Sequence, residues 1–464
     1  MDGVFDPRDE ELAVVNPYDG QTIATVATGG PADVDAAATA GRAHLGAHPA
    51  VARAEVLERA ARLVAERAEA FARTICLEAG KPLKQARAET ARCIDTLIFS
   101  AVEARTLTGE MVAMDASAAG AGKLGMILRE PIGVVGAISP FNFPLNLVAH
   151  KVAPAIAAGC PVVLKPASAT PLSALLLARA LADAGLPPGF LSVIPGGGGT
   201  VGNAIVDHPD IAMISFTGSP PVGWGIRQRQ PHKEVALELG NSTPVIIEAD
   251  ADLETAAAKL AASGYTHAGQ SCISVQRVYV QADALERFRD LFTAAVAALV
   301  VGDPMDEATD VGPVIDAGNR DRIEGWIDEA ARGGARVLAG GEVREGLLMP
   351  TILEGIDPAM KVSCEEVFGP VVGLAGYRTI DEAIDLANSS PFGLQAGIFT
   401  ARVDAALGWA RRLHFGGVLI NETPTFRADQ MPYGGVKDSG NTREGPRFTV
   451  EHMTERKLVL VNLP

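Results

Sequence analysis

From residue 133 to residue 420 the chain repeats one unit: a short apolar run, then a stretch of helical spacing. The apolar runs at 133–138, 161–165, 191–194 and 211–216 have strand length. Helical patterns at 145–158 and 171–184 separate the first three, and a glycine-rich turn with a helix follows the third. Strands that alternate with helices pair in parallel, because each helix carries the chain back across the sheet. The same rhythm resumes at 244–248, 251–267, 276–281, 283–299, 319–333, 335–339, 371–375, 380–389, 396–400, 403–413 and 417–420. The expectation is an α/β protein with two doubly wound, Rossmann-like domains. A length of 464 residues suits two or three domains and more than one core.

The flanks read differently. Turn signals at Asn16-Pro17 and Asp19-Gly20 predict a small hairpin over 11–30. Residues 31–107 are helical. One helix opens at Ala32-Asp33-Val34, and a second spans 50–79 until Gly80-Lys81-Pro82 ends it. A third runs over 83–106. The alternating, glycine-rich stretch 110–129 predicts an extended, projecting hairpin. The tail over 449–463 ends in alternating Leu458-Val459-Leu460-Val461, a strand suited to pairing with another subunit.

Charge and cysteine usage narrow the function classes. With 40 basic and 56 acidic residues the net charge is −16, which argues against nucleic acid and disfavours an anionic membrane surface. No apolar run reaches the ~18 residues of a membrane span; Lys151 and Pro154 interrupt the candidate at 143–164. Cys76, Cys93, Cys160, Cys272 and Cys364 are odd in number and form no C-x-x-C pair. No metal site is expected, and a reducing, cytoplasmic compartment is. The leading Met1-Asp2-Gly3-Val4-Phe5-Asp6 lacks the basic and apolar regions of a signal peptide.

Reactive side chains concentrate between Leu237 and Cys272. Glu238-Leu239-Gly240 and Gly269-Gln270-Ser271-Cys272 set an acid and a thiol 34 residues apart, each beside small residues that permit close approach of a ligand. A thiolate can attack a carbonyl carbon and hold it covalently. A nearby carboxylate can activate the water that releases the product. Cys76 and Cys93, by contrast, fall on helical apolar patterns and read as inert core thiols.

Four further segments follow strand ends, where ligands collect in open α/β sheets. Ser139-Pro140-Phe141-Asn142-Phe143-Pro144 carries an amide that either serves an oxyanion or forms a turn. Lys165-Pro166-Ala167-Ser168 carries a lysine that either holds a ribose or phosphate or is simply solvated. Gly197-Gly198-Gly199-Thr200-Val201-Gly202 satisfies G-x-G-x-x-G in the required strand–turn–helix context. It lacks the Lys-Ser/Thr of a P-loop, and 215–233 holds no acid for a ribose, so a phosphate cradle and a plain packing turn both fit. Phe216-Thr217-Gly218-Ser219 offers a second helix start, with Ser219 free for a diphosphate or for capping.

In this order, and with Glu365-Glu366-Val367-Phe368-Gly369-Pro370, these motifs resemble the aldehyde dehydrogenase superfamily from about Val15 to Val461. The resemblance implies NAD(P)-dependent oxidation of an aldehyde to a carboxylic acid. Cys272 would form a thiohemiacetal and then a thioester. The Asn142 amide and the Cys272 backbone N–H would hold the oxyanion, and Glu238 would activate water. The cofactor, NADP or NAD, would lie against Ser139, Pro140, Phe141, Gly202, Phe216 and Gly218. Lys165 and Glu366 would hold its riboses, Ser168 would stand by the 2′ position, Ser219 by the diphosphate and Phe368 by the nicotinamide. The implied division is 1–109 with 131–240 for dinucleotide binding, 241–430 for catalysis, and 110–130 with 431–464 for assembly as a homodimer or homotetramer.

Two departures matter. Asn241 stands where the family usually has a second glycine, which bears on the local backbone. Ser168 stands where strongly NAD-preferring members often carry Glu, so nothing repels a 2′-phosphate and NADP is expected to be accepted. Residues 425–437 and 149–154 resemble the branch with lactaldehyde, non-phosphorylating glyceraldehyde-3-phosphate and phosphonoacetaldehyde dehydrogenases. A small hydroxy- or anionic aldehyde is implied, with Arg105, Phe143, His150, Ser271 and Arg427 on the substrate side. Arg427 either binds an anion or pairs with Asp429 or Glu422 at a subunit contact; Ser271 in place of an arginine argues against a phosphonate. Two readings compete: a CoA-acylating semialdehyde dehydrogenase, which needs no Glu238, and a non-catalytic relic, which needs none of the polar set.

Overall fold

The computed structural model describes residues 10–463; the stretch from Met1 to Asp6 lies outside the described residues. The first sheet has five parallel strands in the order Leu191–Val193, Val162–Lys165, Val134–Ile138, Ile211–Thr217, Glu234–Glu238. Strand order runs outward both ways from Val134–Ile138. Its end and that of Ile211–Thr217 therefore border the switch-point crevice of a doubly wound sheet. Val134–Ile138 is buried at every position, as a strand covered on both faces must be. One face packs on the helices Ala50–Glu66, Leu83–Thr106 and the fully buried Asn146–Ala158. The other packs on Val34, Ala37, Ile205 and Ile226.

Seven strands form the second sheet: Arg336–Ala339, Thr351–Glu354, Val371–Tyr377, Val275–Gln281, Thr243–Ile247, Gln395–Phe399 and Gly417–Ile420. All neighbours are parallel except the first pair. There a short return, with the bridged pair Val343–Arg344 and Leu347–Leu348, joins the two strands, and so short a connection permits only antiparallel neighbours. A third, antiparallel sheet joins Thr454–Asn462, Lys123–Pro131 and Glu110–Val112. It leaves Met111 65%, Leu458 58% and Leu460 47% exposed.

The helical region departs from expectation at one point. Residues 50–79 form two helices, Ala50–Glu66 and Ala68–Ala79. Arg67 between them leaves helical geometry (φ −106°, ψ 15°), and its guanidinium donates to Asp183 at 2.9 Å. Two strands, Glu234–Glu238 and Thr351–Glu354, join the sheets beyond those expected. Among the described residues no helix is long and apolar enough to cross a membrane, and no three metal-binding side chains cluster.

Candidate active site

Helix Leu253–Tyr265, started by Asp252 accepting the Thr255 N–H, delivers the chain to the thiol. His267 and Ala268 then turn through left-handed geometry (φ 50° and 53°). Gly269 follows at φ 71°, and a Cβ there would overlap the Gly369 carbonyl, so main chain lies directly on main chain. Gln270 fastens the turn: its Nε2 donates to the carbonyls of His267 (3.1 Å) and Pro313 (3.3 Å), and its Oε1 accepts the Ile315 N–H at 2.8 Å. The Gln270 carbonyl accepts Asn142 Nδ2 at 2.8 Å, bringing the asparagine of the 139–144 loop to the thiol loop. Cys272 Sγ lies 2.8 Å from the Tyr433 hydroxyl oxygen. Burial pushes this thiol up to about 12; the Tyr433 hydrogen bond opposes the rise, and the Glu366 and Glu238 carboxyls add to it.

Glu238 ends its strand beside that loop. Its carbonyl accepts the Gly218 N–H at 3.1 Å, and Leu237 and Leu239 bond to Asn441 and Ser439. The carboxyl is buried, and neither oxygen has a partner. Burial, then the neighbouring Glu444, hold it well above the ordinary carboxylate value, against Arg427, Lys151 and Arg443. Glu444 goes the other way. Burial would raise it, but Arg427, His150 and Lys151 outweigh that and hold it at about 2. One buried acid thus takes the cations, leaving the other toward its neutral form. A cavity of about 10 Å³, room for one water, lies among Lys151, Ser215, Glu238, Thr442, Glu444 and His452.

Each cation beside these acids has a partner. Lys151 Nζ donates to Thr217 Oγ1 at 2.7 Å and Ser215 Oγ at 3.2 Å, and stands 3.8 Å from Glu444. Arg427 donates to Glu444 Oε2 at 2.7 Å and lies 3.9 Å from the Tyr433 ring centroid; its Nε is buried without a partner. His150, wholly buried, has Nε2 2.8 Å from Asp429 Oδ1 and 3.2 Å from Arg427 Nη2. Asp429 also accepts from Asn146 (3.0 Å) and Arg92 (2.9 Å). Arg427 therefore pairs with Glu444, not with Asp429 or Glu422.

Arg105 corrects an expectation, because it does not reach this cluster. It is 41% exposed at the end of Leu83–Thr106 and pairs with Glu58 at 2.9 Å. Arg92, on the same helix, touches Asp429, and the 13 helical steps from Arg92 to Arg105 span about 20 Å. Phe143 lies under the Lys81 ammonium, 3.6 Å from its ring centroid, and Ser271 is buried beside Cys272. Cys76 and Cys93 are buried core thiols, both pushed up chiefly by burial.

A groove of about 270 Å³ opens at the switch point, lined by Ile138, Gly202, Phe216, Pro221, Gly225 and Ile226 among others. Among the described residues no carboxylate lines it. A Cβ on Gly225 or Gly198 would meet only open space, and one on Gly202 would touch Lys165 Cδ at 3.6 Å. Lys165 is buried, its Nζ donating to the Pro166 carbonyl at 2.8 Å. Ser168 Oγ donates to the Gly196 carbonyl at 2.9 Å. Ser139 Oγ is buried without a partner. Gly218 must lack a side chain, since a Cβ would stand 2.6 Å from the Phe216 ring, and Ser219 precedes Pro220–Arg229 with no capping bond from its side chain. Phe141, next to Pro140, meets Phe368 edge-on at 5.7 Å between centroids. Glu366 Oε1 accepts the Asn241 N–H at 3.0 Å, over a Gly240 that has no room for a Cβ. Burial pushes Glu366 up to about 7, opposed by the Asn241 N–H and Arg322. Asn241 itself is absent from the left-handed residues, so no glycine is needed there. An open groove, a free buried hydroxyl and no opposing carboxylate fit a dinucleotide.

The structure thus gathers Cys272, Glu238, Asn142, Ser271, His150, Arg427, Glu366 and Phe368. Sequence reasoning assigned no role to Tyr433, Lys151 or Glu444. Lys151 carried a signal, a lone charge in the apolar stretch 143–164; Tyr433 stood before Gly434-Gly435; Glu444 had none.

A family model described as the aldehyde dehydrogenase family matches residues 5–459. The 3-sulfolactaldehyde dehydrogenase of Priestia megaterium is 42% identical over 464 residues, spanning 100% of this chain and 97% of that protein. A lactaldehyde dehydrogenase of Methanococcus maripaludis is 40% identical over 416 residues, 88% of each chain. A glyceraldehyde-3-phosphate dehydrogenase of Methanocaldococcus jannaschii, solved with NADP, superposes with a TM-score of 0.94 at 37% identity, covering 98% of this chain and 100% of that one.

Proposed function

The chain belongs to the aldehyde dehydrogenase family and is an NAD(P)-dependent enzyme, and from that premise we propose that it oxidises a small hydroxy- or anionic aldehyde to its carboxylic acid by covalent catalysis at Cys272. One observation carries the reading. Tyr433 touches the thiol at 2.8 Å, and a Cβ on the next residue, Gly434, would stand 2.8 Å from Glu238 Oε1. Nucleophile and acid so lie against adjacent residues of one loop.

Cys272, as thiolate, attacks the carbonyl carbon; the C–S bond forms and the π pair moves onto oxygen. Asn142 Nδ2 gives one N–H to Gln270 and keeps a second for that oxygen, beside the Cys272 backbone N–H. A bound nicotinamide supplies the hydride acceptor. The acyl group stays on Sγ. Glu238, as carboxylate, takes a proton from water while the water oxygen bonds to the acyl carbon and the C–S bond breaks. The water-sized cavity beside Lys151 and Glu444 gives that proton a way out.

Glu238→Gln tests this. It should leave a stoichiometric burst of reduced cofactor, slow steady turnover by about 10²–10⁴-fold, and leave an acyl mass on the Cys272 peptide. Undiminished turnover would sink the assignment. Turnover that depends on CoA would favour acyl transfer instead.

The 3-sulfolactaldehyde relative supports an anionic or hydroxylated substrate. So does Arg427, whose Nε is buried without a partner. The carboxylate-free groove and Ser168 support use of NADP; a kcat/KM ratio strongly favouring NAD would refute it. We assign 1–109 with 131–240 to the dinucleotide, 241–430 to catalysis, and 110–130 with 431–464 to a homodimeric or homotetrameric contact.

A further inference from the structure

We propose that Tyr433 is a catalytic residue: its hydroxyl donates a hydrogen bond to the Cys272 thiolate and sets how much of the nucleophile is ionised. The inference rests on the reading of Cys272 as nucleophile. Tyr433 is 3% exposed, and its oxygen sits 2.8 Å from Sγ. Behind the ring lies the Arg427 guanidinium, 3.9 Å from the centroid and held there by Glu444 at 2.7 Å. A cation over the ring stabilises negative charge developing on the phenol oxygen, so the O–H becomes a stronger donor.

Burial and the Glu366 and Glu238 carboxyls oppose ionisation of the sulfur, while the Arg427 charge behind the Tyr433 ring favours it. Tyr433 is the polar contact that favours it too. An S–H is a weak donor. Once the thiol proton leaves to solvent, the sulfur can only accept, while Tyr433 keeps its own proton and donates it. When the sulfur bonds to the carbonyl carbon it loses its charge, and the hydrogen bond weakens. The hydroxyl therefore serves the free nucleophile more than the adduct.

The test is alkylation of the intact enzyme by iodoacetamide across pH, read at the Cys272 peptide by mass spectrometry, in wild type and Tyr433→Phe. This change removes a single oxygen. Loss of one charge-assisted hydrogen bond moves the midpoint of the alkylation curve up by about 1–2 on the pH scale. A more basic thiolate is also more nucleophilic, with a Brønsted slope of about 0.4–0.5. With burial holding the thiol at about 12, a midpoint higher by about 1 should lower the rate about three- to fourfold throughout the accessible range of roughly pH 6–10, whereas replacing Tyr433 by 3-fluorotyrosine, a stronger O–H donor of nearly the same shape, should raise it above wild type. A rate in Tyr433→Phe equal to wild type, or a 3-fluorotyrosine enzyme no faster than wild type, overturns the proposal, because a packing defect does not follow the acidity of the hydroxyl. Cys272→Ser isolates the underlying reading. Retained dehydrogenase activity there would remove Cys272 as nucleophile and the catalytic role of Tyr433 with it, whereas an alkylation rate that ignores the hydroxyl's acidity, with Cys272→Ser inactive, would remove Tyr433 alone.

Discussion

Arg427 shows how a residue's role depends on a partner distant in sequence. Its own loop offers Asp429 and Glu422, yet the guanidinium pairs with Glu444 and leaves its Nε free in a buried place. If that free donor meets the substrate anion, Arg427→Ala should lower kcat/KM for sulfonated or phosphorylated aldehydes about ten- to a hundredfold and spare neutral ones. Equal loss for both classes would sink the idea. Removing Arg427 also leaves Glu444 buried with only Lys151, 3.8 Å away, paired to its charge, so Arg427→Lys is the stability control. Glu366 gives a pH prediction. Its folded value, about 7, lies above that of an unfolded glutamate, so its contribution to stability is complete below about 4.5 and is lost as pH rises through about 7. Glu366→Gln removes that loss while Oε1 still accepts from Asn241. Thermal melts should show the variant gaining on wild type from pH 5 to pH 8; a constant difference would contradict the raised value.

At the level of elements, the catalytic loops depend on backbone features that periodicity does not report. The left-handed turn at His267 and Ala268, and the bare contact of Gly269 on Gly369, have no hydrophobic signature. Gly269→Ala should displace the thiol loop and cut kcat at least tenfold, since misplacement of about 1 Å can cost 10²-fold. Near-wild-type activity would show that the loop yields. The strand Glu234–Glu238 escaped the sequence pattern because acids stand at both its ends, although its middle is buried. Thr351–Glu354 escaped because no helix separates it from Arg336–Ala339, so it falls outside the strand–helix rhythm. The break at Arg67 escaped because apolar spacing continues across it, and only the Asp183 contact marks it. Buried parallel strands such as Val134–Ile138 were legible because both faces must be apolar, which leaves an unbroken run.

Across the whole molecule, two parallel sheets were readable from rhythm, and the thiol, acid and amide from motifs at strand and helix ends. The partners that tune them were not, because Tyr433, Glu444 and Lys151 reach the site from separate segments. The third sheet keeps Leu458 and Leu460 exposed on a strand that pairs along Lys123–Pro131. If that apolar face covers a second copy of the chain, Leu458→Asp with Leu460→Asp should lower the mass seen by light scattering, with the far-ultraviolet spectrum unchanged; an unaltered mass would remove this face from assembly. The seating of Gly269 on Gly369 has a consequence of timing. With no side chain cushioning the two loops, whatever steadies the loop of Glu366 and Phe368 also steadies Cys272, so the nucleotide's arrival would come first and ready the sulfur for the aldehyde.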